Sequence, residues 1–204
     1  MTAAPRSFIA RHGETVFNAA ARMQGDVLHT PLTRQGFAQA DEMGALLRVH
    51  LGPRPALDLW ASPAGRALQT LAVIAEHLEL DWHGARTDAR LREIDIGAWS
   101  GRLYPELAAE TGPLIDPATG LFSVRPPGGE SYDEVALRLQ SWLDDTAGEA
   151  ADRLIVMHGM SSRVLRGLLT GAGRIAGNVP QGSLVEIKAG VETRLESGDA
   201  FDPF

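Results

Sequence analysis

The 204-residue chain contains no cysteine. Disulfides, thiol nucleophiles, Fe–S clusters and cysteine-ligated zinc are excluded together, and the composition suits a reducing compartment, with the cytoplasm as the expected location. Lysine is almost missing as well. Of 19 basic residues only Lys188 is lysine; the other 18 are arginine, whose rigid fork matches phosphate and carboxylate oxygens. Positive charge is in deficit overall, with 26 acidic residues and a net charge of −7, which argues against a broad basic surface for nucleic acid. No apolar run approaches the roughly 18 residues of a membrane span, and the stretch before Phe8 is too short and polar for a signal peptide, so neither a membrane nor secretion is expected. What remains is an ordinary globular composition, 44% hydrophobic and 22% charged. At this length folding buries roughly 70% of the unfolded surface, a sufficient core without disulfide or structural metal.

No repeat or linker divides the chain, and apolar patterning persists from Phe8 to about Leu195, so one domain spanning 1–204 is expected. Short apolar runs predict strands at Ser7–Arg11, Leu57–Ala61, Arg153–Met157 and Ser183–Ile187, with a last one near Glu192–Leu195. Helical periodicity fills much of the rest. Thr33 can cap a helix with Phe37, Ala40, Met43, Leu46 and Leu47 on one face, and Pro63 opens another carrying Ala67, Leu68, Leu71, Ile74, Ala75 and Leu78. A third runs from Ser131 to about Thr146 with Val135, Leu139, Trp142 and Leu143 inward. A fourth starts at Ser161 or Ser162 and is stopped by Gly171. Strands alternating with helices predict an α/β fold, a mostly parallel central sheet covered on both faces as a three-layer α/β/α sandwich. The stretch from Tyr104 to Gly129 differs: five prolines interrupt weak apolar patterning. A helix followed by loop is expected there, a lid-like insertion at about 102–130, with Trp99, Leu103, Tyr104, Leu121 and Phe122 roofing a pocket.

In open α/β sheets ligands bind at the carboxyl ends of the strands. The first predicted strand ends in Arg11-His12-Gly13-Glu14-Thr15, the second in Ser62-Pro63-Ala64-Gly65-Arg66, and the Arg153–Met157 strand in His158-Gly159. Two histidines and two arginines would converge on one rim. Singly, each has an ordinary structural explanation, as a hydrogen-bonded histidine, a surface ion pair or a helix cap. Together they suit phosphoryl transfer: paired guanidinium donors for the equatorial oxygens and an imidazole that can attack phosphorus or hold a proton. A metal site would look different, with a His-Glu-x-x-His helix or a carboxylate cluster and without guanidinium charge beside it; neither metal nor cofactor is expected.

The string Arg11-His12-Gly13-Glu14-Thr15, with Asn18, Arg22, Gln24-Gly25, Pro31-Leu32-Thr33 and Gly36, closely resembles the opening of the histidine phosphatase superfamily, which includes cofactor-dependent phosphoglycerate mutases. The likeness continues in Ser62-Pro63, Arg66-Ala67, Gln69-Thr70, Leu91-Arg92-Glu93 with Gly97, Trp99 and Gly101, and His158-Gly159, in family order over roughly four-fifths of the chain. The resemblance implies that His12 is the nucleophile that becomes phosphorylated, that Arg11, Arg66 and His158 hold the transferring group, and that Glu93 is the proton donor. His12 must attack as neutral imidazole, so its second N–H needs an acceptor, for which the Gly13 carbonyl is the natural candidate. The resemblance also places Asn18, Gln24 and the Gly25 backbone against phosphate or substrate, with Gly159 beside them and Thr15 and Ser62 supporting the histidine loop. Asp95 is expected to be structural, and His29, His50, His77 and His83 to be solvated.

Classical mutases of this family are longer and carry an inserted region with basic residues that grip a second anion. Between Tyr104 and Gly129 the only basic residue here is Arg125, and Met160 stands where mutases usually have asparagine after the second His-Gly. Both departures favour a phosphomonoester hydrolase acting on a small phosphorylated metabolite over a mutase, with a non-catalytic phospho-ligand-binding module as a more distant reading.

Overall fold

The computed structural model describes residues 5–171 and 177–196. In chain order these form β1 (Ser7–Arg11), α1 (Val16–Ala19), α2 (Arg34–Leu51), β2 (Leu57–Ala61), α3 (Gly65–Leu78), β3 (Arg86–Thr87), α4 (Tyr104–Thr111), α5 (Tyr132–Asp145), β4 (Asp152–Met157), α6 (Gly159–Thr170), β5 (Leu184–Lys188) and β6 (Val191–Leu195), with three short 3₁₀ turns between β2 and α4. The sheet order is β3-β2-β4-β1-β5-β6. The β3/β2, β2/β4 and β4/β1 pairs are parallel, whereas β1/β5 and β5/β6 are antiparallel.

Strand alternation divides the interior into two cores. Phe8 and Ala10 of β1 with Leu154 and Val156 of β4 pack against Met43 and Leu47 of α2 and Leu71 and Ile74 of α3. Their neighbours Ile9, Ile155 and Met157 point the other way, to Leu139 and Trp142 of α5 and Val164 and Leu165 of α6. Burial on both faces is why these strands read as continuous apolar runs. The helix boundaries follow local chemistry: the Thr33 side chain accepts from the Gly36 N–H, Ser131 and Glu134 form a reciprocal capping box, and left-handed Gly171 ends α6.

Four details differ from the sequence reading. Phe37 is 42% exposed; it sits one position off the face on which Gly36, Ala40, Met43 and Leu47 are buried. Helix α3 begins at Gly65, not Pro63, and is capped by no side chain. Helix α6 begins at Gly159, two residues before Ser161, with His158 as its cap. His77 is half-buried, packed on Gly44 and paired with Asp41, so it is less solvated than expected. The segment 102–130 holds α4, a small hairpin joined by an Ile115–Phe122 bridge, and a turn into α5. It is anchored by buried Leu107 and Leu114. The tail 197–204, with Phe201 and Phe204, lies outside the described residues.

Candidate active site

Because β2, β4 and β1 are adjacent and parallel, the segments leaving their carboxyl ends meet. The sheet ladder runs one residue past each strand: His12 N–H donates to the Met157 carbonyl and Ser62 N–H to the Val156 carbonyl, each at 3.0 Å. This register puts His12, Ser62 and His158 side by side, with the two imidazole centroids 5.1 Å apart. Close backbone packing holds the first loop. A side chain on Gly13 would lie 2.2 Å from the Gly36 carbonyl oxygen, and one on Gly36 2.0 Å from that of Glu14, so the loop after β1 can seat on the start of α2 only with glycine at both positions.

His12 is buried, 2% exposed. Its Nδ1 lies 2.7 Å from the Gly13 carbonyl, an acceptor only, so Nδ1 carries the proton and Nε2 keeps its lone pair toward the cleft that His12 lines. Burial first, then the Arg66 charge and to a lesser degree that of Arg11, hold the imidazole well below its ordinary pKa, against the opposing effect of the Gly13 hydrogen bond. His158 is likewise held neutral by burial and by Arg66. Its Nδ1 accepts from Arg66 Nε at 3.2 Å and its Nε2 lies 2.7 Å from Ser62 Oγ, so the Nε2–H rests on Ser62.

Arg66 is completely buried. Its Nη1 donates to the Val27 carbonyl and to Thr30 Oγ1, and its Nη2 to the Gly25 carbonyl. With Nε on His158, four of five N–H groups are used, leaving one on Nη2. Desolvation lowers its pKa to about 10, so it stays charged at neutral pH. Arg11 donates through Nη1 to the Val179 carbonyl at 2.7 Å, while its buried Nε has no partner. Its guanidinium lies on Gly159, where an added Cβ would sit 3.2 Å from Cζ. A desolvated cation with an unmatched donor is poised for an anionic ligand.

Glu93 faces this pair. Its Oε1 accepts from the Ile94 and Ser161 N–H groups and its Oε2 from Met160 N–H, at 2.8–3.0 Å. The carboxyl group thus caps the first turn of α6, where the helix N-terminus favours negative charge. Asp95 faces away: its Oδ1 accepts from Gly97 N–H and its backbone pairs with Glu130.

The cleft, about 230 Å3, is lined at its floor by Arg11, His12, Glu93 and Gly159, with Asn18, Gln24 and Gly25 on one side. Thr15, Ser62, Arg66 and His158 are completely buried and do not line it; Arg66 and His158 lie behind His12. The Thr15 N–H donates to Asn18 Oδ1 at 3.1 Å, which leaves the Asn18 NH₂ group for the cleft, and Thr15 Oγ1, with one proton to give, lies 2.8 Å from both Asn18 Oδ1 and Gln24 Oε1. Of the expected roof, Tyr104 and Phe122 line the space. Trp99 is buried beneath Phe122, ring centroids 5.5 Å apart, and Leu103 and Leu121 are not part of the lining. Sequence reasoning missed Asn178 and the Val179 carbonyl, which no motif marks, and the backbone donors of α6 that hold Glu93.

Residues 7–190 match the family model described as histidine phosphatase superfamily, branch 1. The chain is 35% identical over 170 residues to a protein of Erwinia tasmaniensis named probable phosphoglycerate mutase GpmB, covering 80% of this chain and 74% of that one. It is 33% identical over 156 residues to the 6-phosphofructo-2-kinase/fructose-2,6-bisphosphatase of Caenorhabditis elegans, covering 76% of this chain but 32% of that larger protein. Among solved structures, a mycobacterial glucosyl-3-phosphoglycerate phosphatase in complex with VO3 superposes with a TM-score of 0.73 at 28% identity, over 90% of this chain and 92% of that one. Sheet order, motif positions and these likenesses agree: the chain belongs to the histidine phosphatase superfamily.

Proposed function

We propose that this protein is a phosphomonoester hydrolase acting through a phosphohistidine on His12. The observation that carries the reading is the state of that ring: neutral, with Nδ1–H fixed on Gly13 and Nε2 open to a cleft floored by Arg11. In the first step Nε2 forms a bond to phosphorus, the P–O bond to the organic group breaks, and the leaving oxygen takes the electron pair and a proton from Glu93. Oε1 of Glu93 already accepts two N–H groups and Oε2 one, so Oε2 is the oxygen with room to carry that proton. The Arg11 guanidinium, which lines the cleft, binds the equatorial oxygens with the charge of buried Arg66 behind it, and a preorganised, partly dry site stabilises their charge better than water does. His158 is the further donor, through exchange of its Nε2–H from Ser62. Glu93, now carboxylate, deprotonates the water that attacks the phosphohistidine, releasing inorganic phosphate and restoring His12.

An alkaline quench during turnover, followed by mass spectrometry, should find phosphate on the peptide containing His12, and His12→Ala should lower phosphate release roughly a thousandfold or more. Absence of the adduct would overturn the mechanism. The likeness to proteins named phosphoglycerate mutase supports a second reading, isomerisation. Hydrolysis is favoured because the one basic residue between Tyr104 and Gly129, Arg125, is already engaged with the Gly129 carbonyl and Glu134. Efficient interconversion of phosphoglycerates with negligible phosphate release would reverse that choice.

A further inference from the structure

Beyond the floor residues, the walls of the cleft change character. Met23, Ile94, Ile96, Ile115, Phe122 and Met160 form an apolar surface, with Tyr104 at the rim. Among the described residues the ionic side chains lining the space are Arg11, Arg22 and Glu93, two of which belong to the reacting end. Arg22 donates to the Gly101 carbonyl and lies over the Phe17 ring, so its cation is held at one point of the wall, while Asn18, Gln24 and Asn178 supply the neutral polar lining. The basic residues of the covering segment are likewise committed, Arg102 to Glu110 and Arg125 to Glu134. Against the apolar part of this wall a second phosphate or a carboxylate would lose its hydration to carbon.

The roof is also held by contacts within the protein. The Phe122 N–H donates to Tyr132 Oη at 3.0 Å, its ring stacks on Tyr132 and meets the edge of Trp99, and Arg163 of α6 donates to the Thr119 and Gly120 carbonyls of the same hairpin. A wall that does not have to be ordered on binding can give its contact energy to affinity. Size is consistent with one ring: an apolar cavity of about 150 Å3 holds benzene, so a cleft of about 230 Å3 has room for a phosphoryl group and a ring beside it.

We propose that the esterified group of the substrate is flat, apolar and uncharged, about one ring in size, and that Phe122 and Tyr104 set this preference. The proposal rests on the hydrolase reading above and deepens it. Benzyl phosphate and glycerol phosphate both release an alkoxide, so comparing them isolates recognition of the organic group from leaving-group chemistry. The expected result is a kcat/KM at least tenfold higher for benzyl phosphate than for glycerol phosphate, 3-phosphoglycerate or fructose bisphosphate. Phe122→Ala should lower the value for benzyl phosphate about tenfold and that for glycerol phosphate less than twofold. Tyr104→Ala, at an exposed position that folding tolerates, should act in the same direction. Preference for either anionic ester, or equal loss on both substrates in these variants, overturns the proposal. Calorimetry with the non-hydrolysable benzylphosphonate and phosphonoacetate separates it from the hydrolase reading. If no ester releases phosphate but benzylphosphonate binds tenfold tighter, hydrolysis fails and the wall assignment stands; equal or reversed affinities overturn the wall assignment whatever the activity.

Discussion

A histidine in water is half protonated near pH 6.5, and a protonated ring cannot attack phosphorus. His12 avoids this by being buried beside two guanidinium groups, which hold its pKa well below 6.5. The acid limb of kcat/KM should therefore lie below pH 6.5, and a limb at or above that value would contradict the neutral-nucleophile geometry. The same shift has a cost in stability. Below pH 6.5 the unfolded chain protonates His12 and His158 while the folded chain does not. The unfolded state then binds up to two more protons, and stability declines as pH falls through that window toward the depressed folded values. His158→Asn should flatten the pH dependence of the urea midpoint in this window relative to wild type, and an unchanged slope would show that His158 is not buried neutral. Glu93 is separable by leaving group. Glu93→Gln should reduce kcat about a hundredfold on alkyl phosphates but less than tenfold on p-nitrophenyl phosphate, whose leaving group needs little protonation. Equal losses would count against the acid role.

At the scale of elements, the site depends on how the loop after β1 seats on α2. Thr33 caps α2 while its hydroxyl lies 2.7 Å from Glu14 Oε1, and Gly13 and Gly36 touch backbone to backbone. Thr33→Ala removes a cap and should cost about 1 kcal/mol. Gly36→Ala instead drives a methyl group into the Glu14 carbonyl and should cost about 1–3 kcal/mol while also moving His12. Urea melts with kcat/KM measurements should show the cap variant losing stability alone and the glycine variant losing both. Much of this was legible in the sequence. The strands announced themselves because β1, β2 and β4 bury both faces, and Thr33, Ser131 and Gly171 marked their helix ends by capping chemistry. The start of α6 was not legible, because its cap, His158, offers no side-chain hydrogen bond to the helix. Nor was β3, two polar residues placed by pairing with β2 and by the ion pair of Arg86 with Glu149. The motif side chains were readable one by one, but the α6 N–H groups that grip Glu93, a partner 67 and 68 positions away, leave no trace in side-chain identity.

On the scale of the whole molecule, three adjacent parallel strands deliver a buried arginine, Arg66, and a half-buried one, Arg11, to one point, and the fold must bear their desolvation. Glu93 is the carboxylate that offsets both electrostatically, and Arg11 keeps a buried N–H without an acceptor. The site is therefore a place where desolvated cations cost the fold stability that a bound anion can restore. A ligand that binds only the folded chain adds about 2.7 kcal/mol at a hundred times its dissociation constant, equivalent to a rise in Tm of roughly 5–10 °C for a protein of this size. Inorganic phosphate should produce such a rise, saturable and larger than that from chloride at equal ionic strength. Arg11→Ala should abolish most of it, whereas Arg22→Ala, at a guanidinium already committed to Gly101 and Phe17, should retain it. A phosphate effect that survives loss of Arg11 undiminished would place the anion elsewhere, and with it the chemistry assigned to His12.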